Sequence, residues 1–359
     1  MKKAFLFVVL FSLSMVCYSQ SDFEIASSFM SKKGITLVYD TYSKNRAKSN
    51  KPYSIFHGAD DKGFAIVKNG IVVGYSTEDY IDEENMPTAL SEMLMSSSKN
   101  LTRKTEPIEP LIKTKWGHYY FAKTYLNVKP DDGICAVVAY AQLVHFWGIP
   151  QTYEEFTIDD EFNHQYGLFP ITTFDHSKLL DEYINGEYTQ ENIDEIAKFY
   201  FYISRIFRSY VDKEKVLNVD YHFLNGFNAE NRNSEFDNVL DKGIPFFTMA
   251  ENHAFVVDGR DSEGRYHTNF GWGGGGDGYY YYLEKDDEVI PNETNKYTHG
   301  APCMTYFTPK DWTSSVSSVN SDVSKSDDVY DIKGQKVGTE LDGLSSGLYI
   351  KDGKKYVVK

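Results

Sequence analysis

Short stretches of alternating apolar and polar residues recur along this chain, and such alternation predicts β-strands. Near the N-terminus, residues 63–67 and 70–75 have this pattern, and Lys68-Asn69-Gly70 between them is typical of a hairpin turn. Residues 23–33 instead carry apolar side chains at helical spacing. The first part of the chain is therefore predicted to combine a helix with a β-hairpin.

The most apolar internal segment, Ala136 to Trp147, is apolar on nearly every side, which predicts a buried helix. Asp132 or Gly133 is expected to cap it. Cys135 would then lie in the first turn, where the positive end of the helix dipole lowers a thiol pKa and favours the nucleophilic thiolate. From this segment alone, a buried core cysteine is an equally open interpretation.

Residues 253–258 and 265–270 alternate like the two strands of a second hairpin. A turn centred on Asp261 would place His253 directly opposite Asn269, with Cβ atoms about 4.5–5.5 Å apart, so that the amide oxygen could accept a hydrogen bond from the imidazole. A helix-terminal cysteine, a histidine and an orienting asparagine form the catalytic arrangement of thiol proteases. In it the histidine takes the thiol proton and later protonates the leaving amine.

A glycine-rich run, residues 271–278, follows this hairpin, and a phosphate-binding loop is its obvious alternative interpretation. No Lys-Ser or Lys-Thr pair follows the glycines, and the tyrosines after them continue as a strand. The context therefore favours a loop that faces substrate beside the histidine hairpin.

The N-terminus has the pattern of a secretory signal peptide: two lysines precede an apolar run from Ala4 to Cys17. This run is shorter than the roughly twenty residues of a membrane-spanning helix. We expect cleavage before Gln20, with acylation of Cys17 as a lipoprotein as the alternative. The mature protein is expected to be secreted, to lie outside the inner membrane or at the cell surface, and to have no transmembrane segment.

Composition changes this picture little. The 37 basic and 52 acidic side chains give a net charge of −15, which argues against nucleic acid as a partner. Two cysteines, Cys135 and Cys303, remain after the signal peptide. An oxidising compartment allows a disulfide between them, whereas a free thiol in a secreted protein is commonly catalytic. We expect Cys303 to be a buried thiol.

Other residues with metal-binding chemistry are expected to be structural. His145 and His267 lie in apolar elements, and no pair of histidines or cysteines has zinc spacing. The acidic run 286–288 is expected to be a solvated loop, with calcium as the open alternative. No cofactor and no metal are predicted.

Polar, linker-like stretches at residues 96–110 and 311–328 divide the chain, and the first contains basic residues that a protease could cut. The predicted division is a signal peptide (1–19), an N-terminal segment (20–103), a large domain (104–310), a linker (311–328) and a small β module (329–359).

Four motifs together resemble the streptopain-like cysteine peptidases, peptidase family C10 of the papain-like clan. The motifs are residues 110–117, 135–142, 253–259 and 267–274. The resemblance covers residues 110–309. It implies an α+β, papain-like fold, with a helical half that carries the cysteine and an antiparallel sheet half that carries the histidine. Residues 20–103 would be an inhibitory propeptide, and the tail resembles a Bacteroidetes-type sorting module for type IX export.

The resemblance also implies roles for single residues. Cys135 would be the nucleophile, His253 the general base and acid, and Asn269 the group that orients the imidazole. Trp272 would line the site. The family carries a glutamine that helps to hold the oxyanion where this chain has His118.

Three further positions depart from the family pattern: Ile134 replaces a glycine, Asn252 replaces a glycine and Phe270 replaces a tryptophan.

Taken together, the motifs and the resemblance predict a secreted cysteine endopeptidase that cleaves protein or peptide substrates and is made as a zymogen inhibited by its own propeptide. The alternative from another class is a catalytically impaired homologue that acts as a protein-binding or inhibitor-like module. An acyltransferase or amidase with the same three residues is a third hypothesis.

Overall fold

The computed structural model describes most of the chain between residues 21 and 358. The described residues are 21–39, 51–59, 62–83, 86, 88–95, 103–127, 129, 133–148, 152–160, 165–225, 229–250, 253–282, 303–310, 312, 328–331, 335–344, 347–351 and 354–358. The predicted signal peptide, residues 96–102 of the first linker, the acidic run 286–288 and most of the second linker lie outside them.

Seven α-helices are present in the described residues. They are α1 (21–31), α2 (Thr88–Met95), α3 (Tyr120–Leu126), α4 (Cys135–Trp147), α5 (Gln190–Phe207), α6 (Lys213–Leu217) and α7 (Ala229–Leu240). A short 3-10 helix spans His176–Lys178. The helix predicted over residues 23–33 and the one predicted over 136–147 are confirmed as α1 and α4.

Eighteen strands are described. They are β1 (Leu37–Val38), β2 (Ser54–Gly58), β3 (Phe64–Lys68), β4 (Ile71–Ser76), β5 (Thr152–Tyr153), β6 (Phe156–Asp160), β7 (Gln165–Phe169), β8 (Thr172–Thr173), β9 (Val219–Asn225), β10 (Phe246–Ala250), β11 (His253–Arg260), β12 (Tyr266–Asn269), β13 (Gly278–Tyr280), β14 (Cys303–Pro309), β15 (Val329–Asp331), β16 (Lys336–Gly338), β17 (Gly347–Lys351) and β18 (Lys354–Val358).

Ten strands form one large sheet in the order β1-β2-β3-β4-β13-β12-β11-β10-β14-β9. The predicted N-terminal hairpin is confirmed as β3 and β4, joined at Asn69 and Gly70, whose φ angles of 51° and 73° suit a tight two-residue turn. Strand β4 pairs antiparallel with β13, with Tyr75 opposite Tyr279. The N-terminal segment therefore continues the sheet that contains the histidine hairpin.

Helix α4 is the central helix of the domain and packs against β11 and α5. Its valines and alanines, such as Val138 and Ala141, are buried, as the all-round apolar pattern predicts. The residue that caps its N-terminus is Ile134, which makes no side-chain hydrogen bond to the helix. The expected cap at Gly133 is therefore wrong, because Gly133 lies one residue before the capping position; Asp132 lies outside the described residues.

The tail forms its own four-stranded antiparallel sheet, in the order β16-β15-β17-β18. Its strands follow the period-two alternation of the sequence between glycine turns. No helix in the described part of the chain is long and apolar enough to cross a lipid bilayer.

Candidate active site

His253 begins β11 and is 7% exposed, with aromatic rings around it. The Trp272 ring lies 4.8 Å from the imidazole, centroid to centroid, and the Phe270 ring 6.1 Å. Burial lowers the pKa of His253 to about 4. A hydrogen bond to the Phe270 carbonyl raises this pKa, but by less than burial lowers it. The imidazole is consequently neutral in neutral solution, which is the form that a general base requires.

A main-chain carbonyl determines which nitrogen of His253 is the basic one. The Nε2 atom lies 2.9 Å from the carbonyl oxygen of Phe270. Because a carbonyl oxygen can only accept, a hydrogen bond here requires the proton on Nε2. In the neutral ring, Nδ1 then carries the lone pair. The group that orients the imidazole is the Phe270 carbonyl, a role that the sequence analysis did not find.

The predicted pairing of His253 with Asn269 is wrong. Asn269 pairs with Val256, and His253 pairs with Ala250 of β10. Two local features explain why the register of this hairpin differs from the one predicted for a turn centred on Asp261. The turn closes with the Asp261 N–H donating to the Arg265 carbonyl, which centres it near residue 263, and the ladder is irregular between Val257 and Gly259.

Asn269 supports the imidazole indirectly. Its Oδ1 accepts from the Gly271 N–H at 3.0 Å and from Gln142 Nε2 at 3.0 Å, and its Nδ2 donates to the Thr114 carbonyl at 2.8 Å. The bond to the residue two positions later holds the peptide between Phe270 and Gly271, whose carbonyl accepts from His253. Asn269 thus fixes the group that orients the imidazole.

Gln142, which the sequence analysis did not select, is completely buried in α4. Its Oε1 accepts from Thr114 Oγ1 at 2.8 Å while its Nε2 donates to Asn269. The signal was present in the sequence, because an amide in the middle of an otherwise apolar helix must find partners inside the core.

Cys135 is the first residue of α4 and is half-buried, with its thiol free. Cys303 is buried and also free, so the disulfide alternative does not apply to this structure, and burial raises the pKa of Cys303 to about 11. The helix that begins at Cys135 packs against the strand that begins at His253. The first N–H groups of a helix have no intrahelical partner, so those at this end of α4 are available to an oxyanion.

His118 joins His253 and Trp272 in one cluster. Its ring centroid lies 6.3 Å from that of His253 and 6.4 Å from that of Trp272. Burial, together with the charges of His253 and Lys123, lowers the pKa of His118 to about 4. Its Nε2 atom is buried and, within the part of the chain that the structure describes, has no hydrogen-bond partner. The ring is therefore a neutral imidazole with a polar atom left over.

The N-terminal segment reaches this region through the glycine-rich loop. The Gly276 N–H donates to the Tyr80 carbonyl at 2.8 Å, and Asp79 forms an ion pair with Lys115. Arg265, 2% exposed, donates from Nε and Nη2 to the Val72 carbonyl at 3.0 and 2.8 Å. The loop that carries Trp272 is thus held by residues before position 83.

The remaining histidines selected from the sequence have structural partners. His145 Nδ1 lies 3.0 Å from His176 Nδ1, and His267 Nδ1 lies 2.6 Å from Asp258 Oδ1. Among the residues that the structure describes, no group of three or more potential ligands is arranged to hold a metal ion.

Comparison with known proteins gives a family match and a fold match. Residues 117–280 match the model of the peptidase C10 family. A fragment of prointerpain A from Prevotella intermedia aligns with a TM-score of 0.54 at 21% identity, covering 72% of this chain and 96% of that one. Active interpain A from the same organism aligns with a TM-score of 0.41 at 21% identity, covering 57% and 98%. No curated protein matches the chain. The first structural likeness agrees with the predicted α+β, papain-like fold.

Proposed function

We propose that this chain, whose residues 117–280 match the peptidase C10 family of cysteine peptidases, is a secreted endopeptidase made as a zymogen. Cys135 is the nucleophile and His253 the general base and acid. The observation that carries this proposal is the neutral His253 imidazole, held through Nε2 by the Phe270 carbonyl, on the strand against which the helix of Cys135 packs. A base with a free Nδ1 and a cysteine at a helix N-terminus suit acyl transfer through a thioester.

The reaction has two halves. His253 Nδ1 takes the thiol proton, and the Cys135 sulfur attacks the peptide carbonyl to give a tetrahedral oxyanion. When the intermediate collapses, the C–N bond breaks, the amine leaves with the proton from the imidazolium, and a thioester remains. Water then attacks the thioester, giving its proton to Nδ1. The carboxylic acid leaves as the C–S bond breaks, and the proton returns to the sulfur.

His118 is proposed as an oxyanion donor together with the Cys135 main-chain N–H. A neutral imidazole donates one N–H, and the buried Nε2 of His118 has no hydrogen-bond partner among the described residues. An oxyanion would be its first partner. The glutamine-to-histidine change would then preserve a donor, and Trp272 would form the wall beside both imidazoles.

The N-terminal segment is proposed as the intramolecular inhibitor. Its strand β4 pairs with β13, and its carbonyl groups accept from Gly276 and Arg265, so it lies against the loop that carries Trp272. Cleavage between residues 96 and 110 would release it. Secretion is proposed from the sequence of residues 1–19, and sorting from the tail module.

A second candidate function, an impaired homologue that binds proteins, is favoured by one observation. The Asn269 amide is hydrogen-bonded to Gln142, Gly271 and Thr114, whereas the His253 Nε2 atom is bound to the Phe270 carbonyl instead of to Asn269. If the Phe270 carbonyl could not replace it, the scaffold would remain without activity.

The deciding experiment compares residues 21–359, the Cys135→Ala variant and the matched Cys303→Ala variant. All three are incubated with reductant near neutral pH, and processing, casein cleavage and labelling by an epoxide inhibitor of thiol proteases are followed. We expect the parent and Cys303→Ala to lose the N-terminal segment, cut casein and take the label, and Cys135→Ala to do none of these. An unlabelled, inactive parent after tryptic removal of residues before Leu111 would favour the binding module.

A further inference from the structure

Asp277 is a buried carboxyl group that the mechanism above does not use. It ends the glycine-rich run just before β13 and is 2% exposed. Its Oδ1 accepts from the Phe270 main-chain N–H at 2.7 Å, and its own N–H donates to the Gly274 carbonyl at 3.1 Å. The carboxyl therefore binds the residue whose carbonyl holds His253.

Three hydrogen bonds converge on Phe270 and its following peptide. Asp277 accepts from the Phe270 N–H, Asn269 accepts from the Gly271 N–H, and the carbonyl between them accepts from His253 Nε2. Because the peptide groups on both sides of the Phe270 Cα are held in this way, rotation about the φ and ψ angles of Phe270 is restricted, and the direction of its carbonyl is set before substrate binds. Loss of the Asp277 or the Asn269 hydrogen bond would free one of these two peptide groups.

We propose that Asp277 is a positioning residue that fixes the Phe270 carbonyl and, through it, the tautomer and orientation of His253. This inference deepens the proposed function, because it concerns the imidazole on which that function rests. Asp277 does not contact substrate or the Cys135 sulfur in this role.

The groups that face Asp277 make its hydrogen bond sensitive to pH. Burial raises the pKa of Asp277 to about 7, and the negative charges of Asp79 and Asp258 add to this. The Phe270 N–H and the charge of His267 act in the opposite direction. Of these, Asp79 pairs with Lys115 and Asp258 with His267. Because a carboxylate accepts more strongly than a neutral acid, acidification should weaken the anchor.

The first test is a spectroscopic one that needs no activity. Histidine is labelled with ¹⁵N in residues 21–359 that carry Cys135→Ala, and the His253 signal is assigned from its loss in His253→Ala. We expect the parent to show a protonated Nε2 that exchanges slowly, and Asp277→Ala to show faster exchange and a mixed tautomer. Asp277→Asn keeps a neutral acceptor oxygen and should give, at every pH, the signal that the parent shows below pH 7.

The pH dependence provides the matched control. In the parent the His253 signal should change as the pH falls through about 7, the pKa to which burial raises Asp277. Asp277→Asn should abolish this change, whereas Asp258→Asn, a buried carboxyl that makes no bond to Phe270, should keep a transition. If Asp277→Ala fails to fold, the Asn variant decides.

Kinetics of the processed enzyme give the second readout. We expect Asp277→Ala to lower kcat about 10- to 100-fold with little change in KM, and Asp277→Asn to recover most of the loss. An unchanged His253 signal in Asp277→Ala, or a pH transition that survives in Asp277→Asn, would overturn the proposal. Since the signal is measured in an inactive variant, an inactive parent would refute the proposed function and leave this test intact.

Discussion

His118 shows that the surroundings of an imidazole decide which role it can take in a site. Both it and His253 are imidazoles that burial keeps neutral, yet they face different tasks. His253 has its Nε2 proton bound to a carbonyl and so presents a base, whereas His118 has a buried Nε2 without a described partner, which we propose as a donor to an oxyanion. The hydrogen bonds around each ring, and not the residue type, separate the two roles.

We expect His118→Ala to lower kcat/KM about 10²- to 10³-fold, because one oxyanion donor is lost. His118→Gln should retain most of the activity, since its amide can donate from a similar place. The kinetics of peptide hydrolysis by the processed enzyme test this, with His222→Ala as a control on an exposed histidine of β9. Equal activity in His118→Ala and the parent would remove His118 from the oxyanion site.

The same residue gives a prediction for stability. Folding lowers the pKa of His118 from 6.5 to about 4, so between these values the unfolded chain binds more protons than the folded one. The stability that the chain gains by keeping His118 neutral is fully present above pH 6.5 and is lost as the pH falls towards 4. His118→Gln should therefore gain in Tm relative to the parent as the pH is lowered across this window. Thermal melts of both proteins at matched pH values test this. A Tm difference that stays constant with pH would contradict the prediction.

At the level of elements, the close approach of α4 to the end of β12 depends on a glycine. Gly271 has φ 72°, and a Cβ there would lie 3.0 Å from Val138 Cγ1. The position follows the Phe270 carbonyl directly, so any shift in it moves the group that holds His253. Gly271 thus lets the helix that carries Cys135 pack closely against the hairpin that carries His253.

We expect Gly271→Ala to destabilise the protein by about 1–3 kcal/mol, from left-handed strain and the clash together. Adding Val138→Ala should relieve the clash and leave the strain, so the double variant should lose less stability than the sum of the losses in the two single variants. Urea unfolding of the three variants and the parent measures this. A double variant as stable as Val138→Ala alone would mean that the backbone tolerates alanine at a positive φ.

Periodicity predicted α1, α4 and the two hairpins because a helix or a strand is specified by the residues within it. It failed for the register of the histidine hairpin, which depends on a turn closed by Asp261 and Arg265 and on an irregularity near Gly259. The Phe270 carbonyl was out of reach for a different reason: every residue has one, so no side-chain pattern marks it. Cys135 and His253 could be selected from sequence because nucleophile and base must be particular side chains.

For the whole molecule, the N-terminal segment and the peptidase region share one sheet and one set of buried contacts. The Phe29 ring of α1 lies 5.0 Å below the Arg265 guanidinium and 4.9 Å from the Tyr75 ring. Arg265 in turn pairs with Asp261 at the turn of the histidine hairpin. The segment therefore contacts the same hairpin that positions His253.

We expect Phe29→Ala to weaken docking of the segment and to speed processing of residues 21–359, since a stacked cation and an aromatic edge contact are lost. The kcat/KM of the processed enzyme should be unchanged, because Phe29 lies before the predicted cut. A time course of processing, with Val38→Ala as an exposed control in the same segment, measures this. Slower processing in Phe29→Ala would contradict an inhibitory role for this contact.

The pairing of β4 with β13 has a consequence for the protein after processing. While the N-terminal segment is attached, the Tyr281 N–H donates to Val73, and the main chain of β13 is matched against β4. Removal of that segment would turn β13 into an edge strand, with a row of donors and acceptors open to any extended chain. Such an edge is a template for strand addition by a passing peptide or by another copy of the enzyme. While it is attached, the N-terminal segment would thus protect the newly made protein from aggregation, in addition to its proposed role as inhibitor.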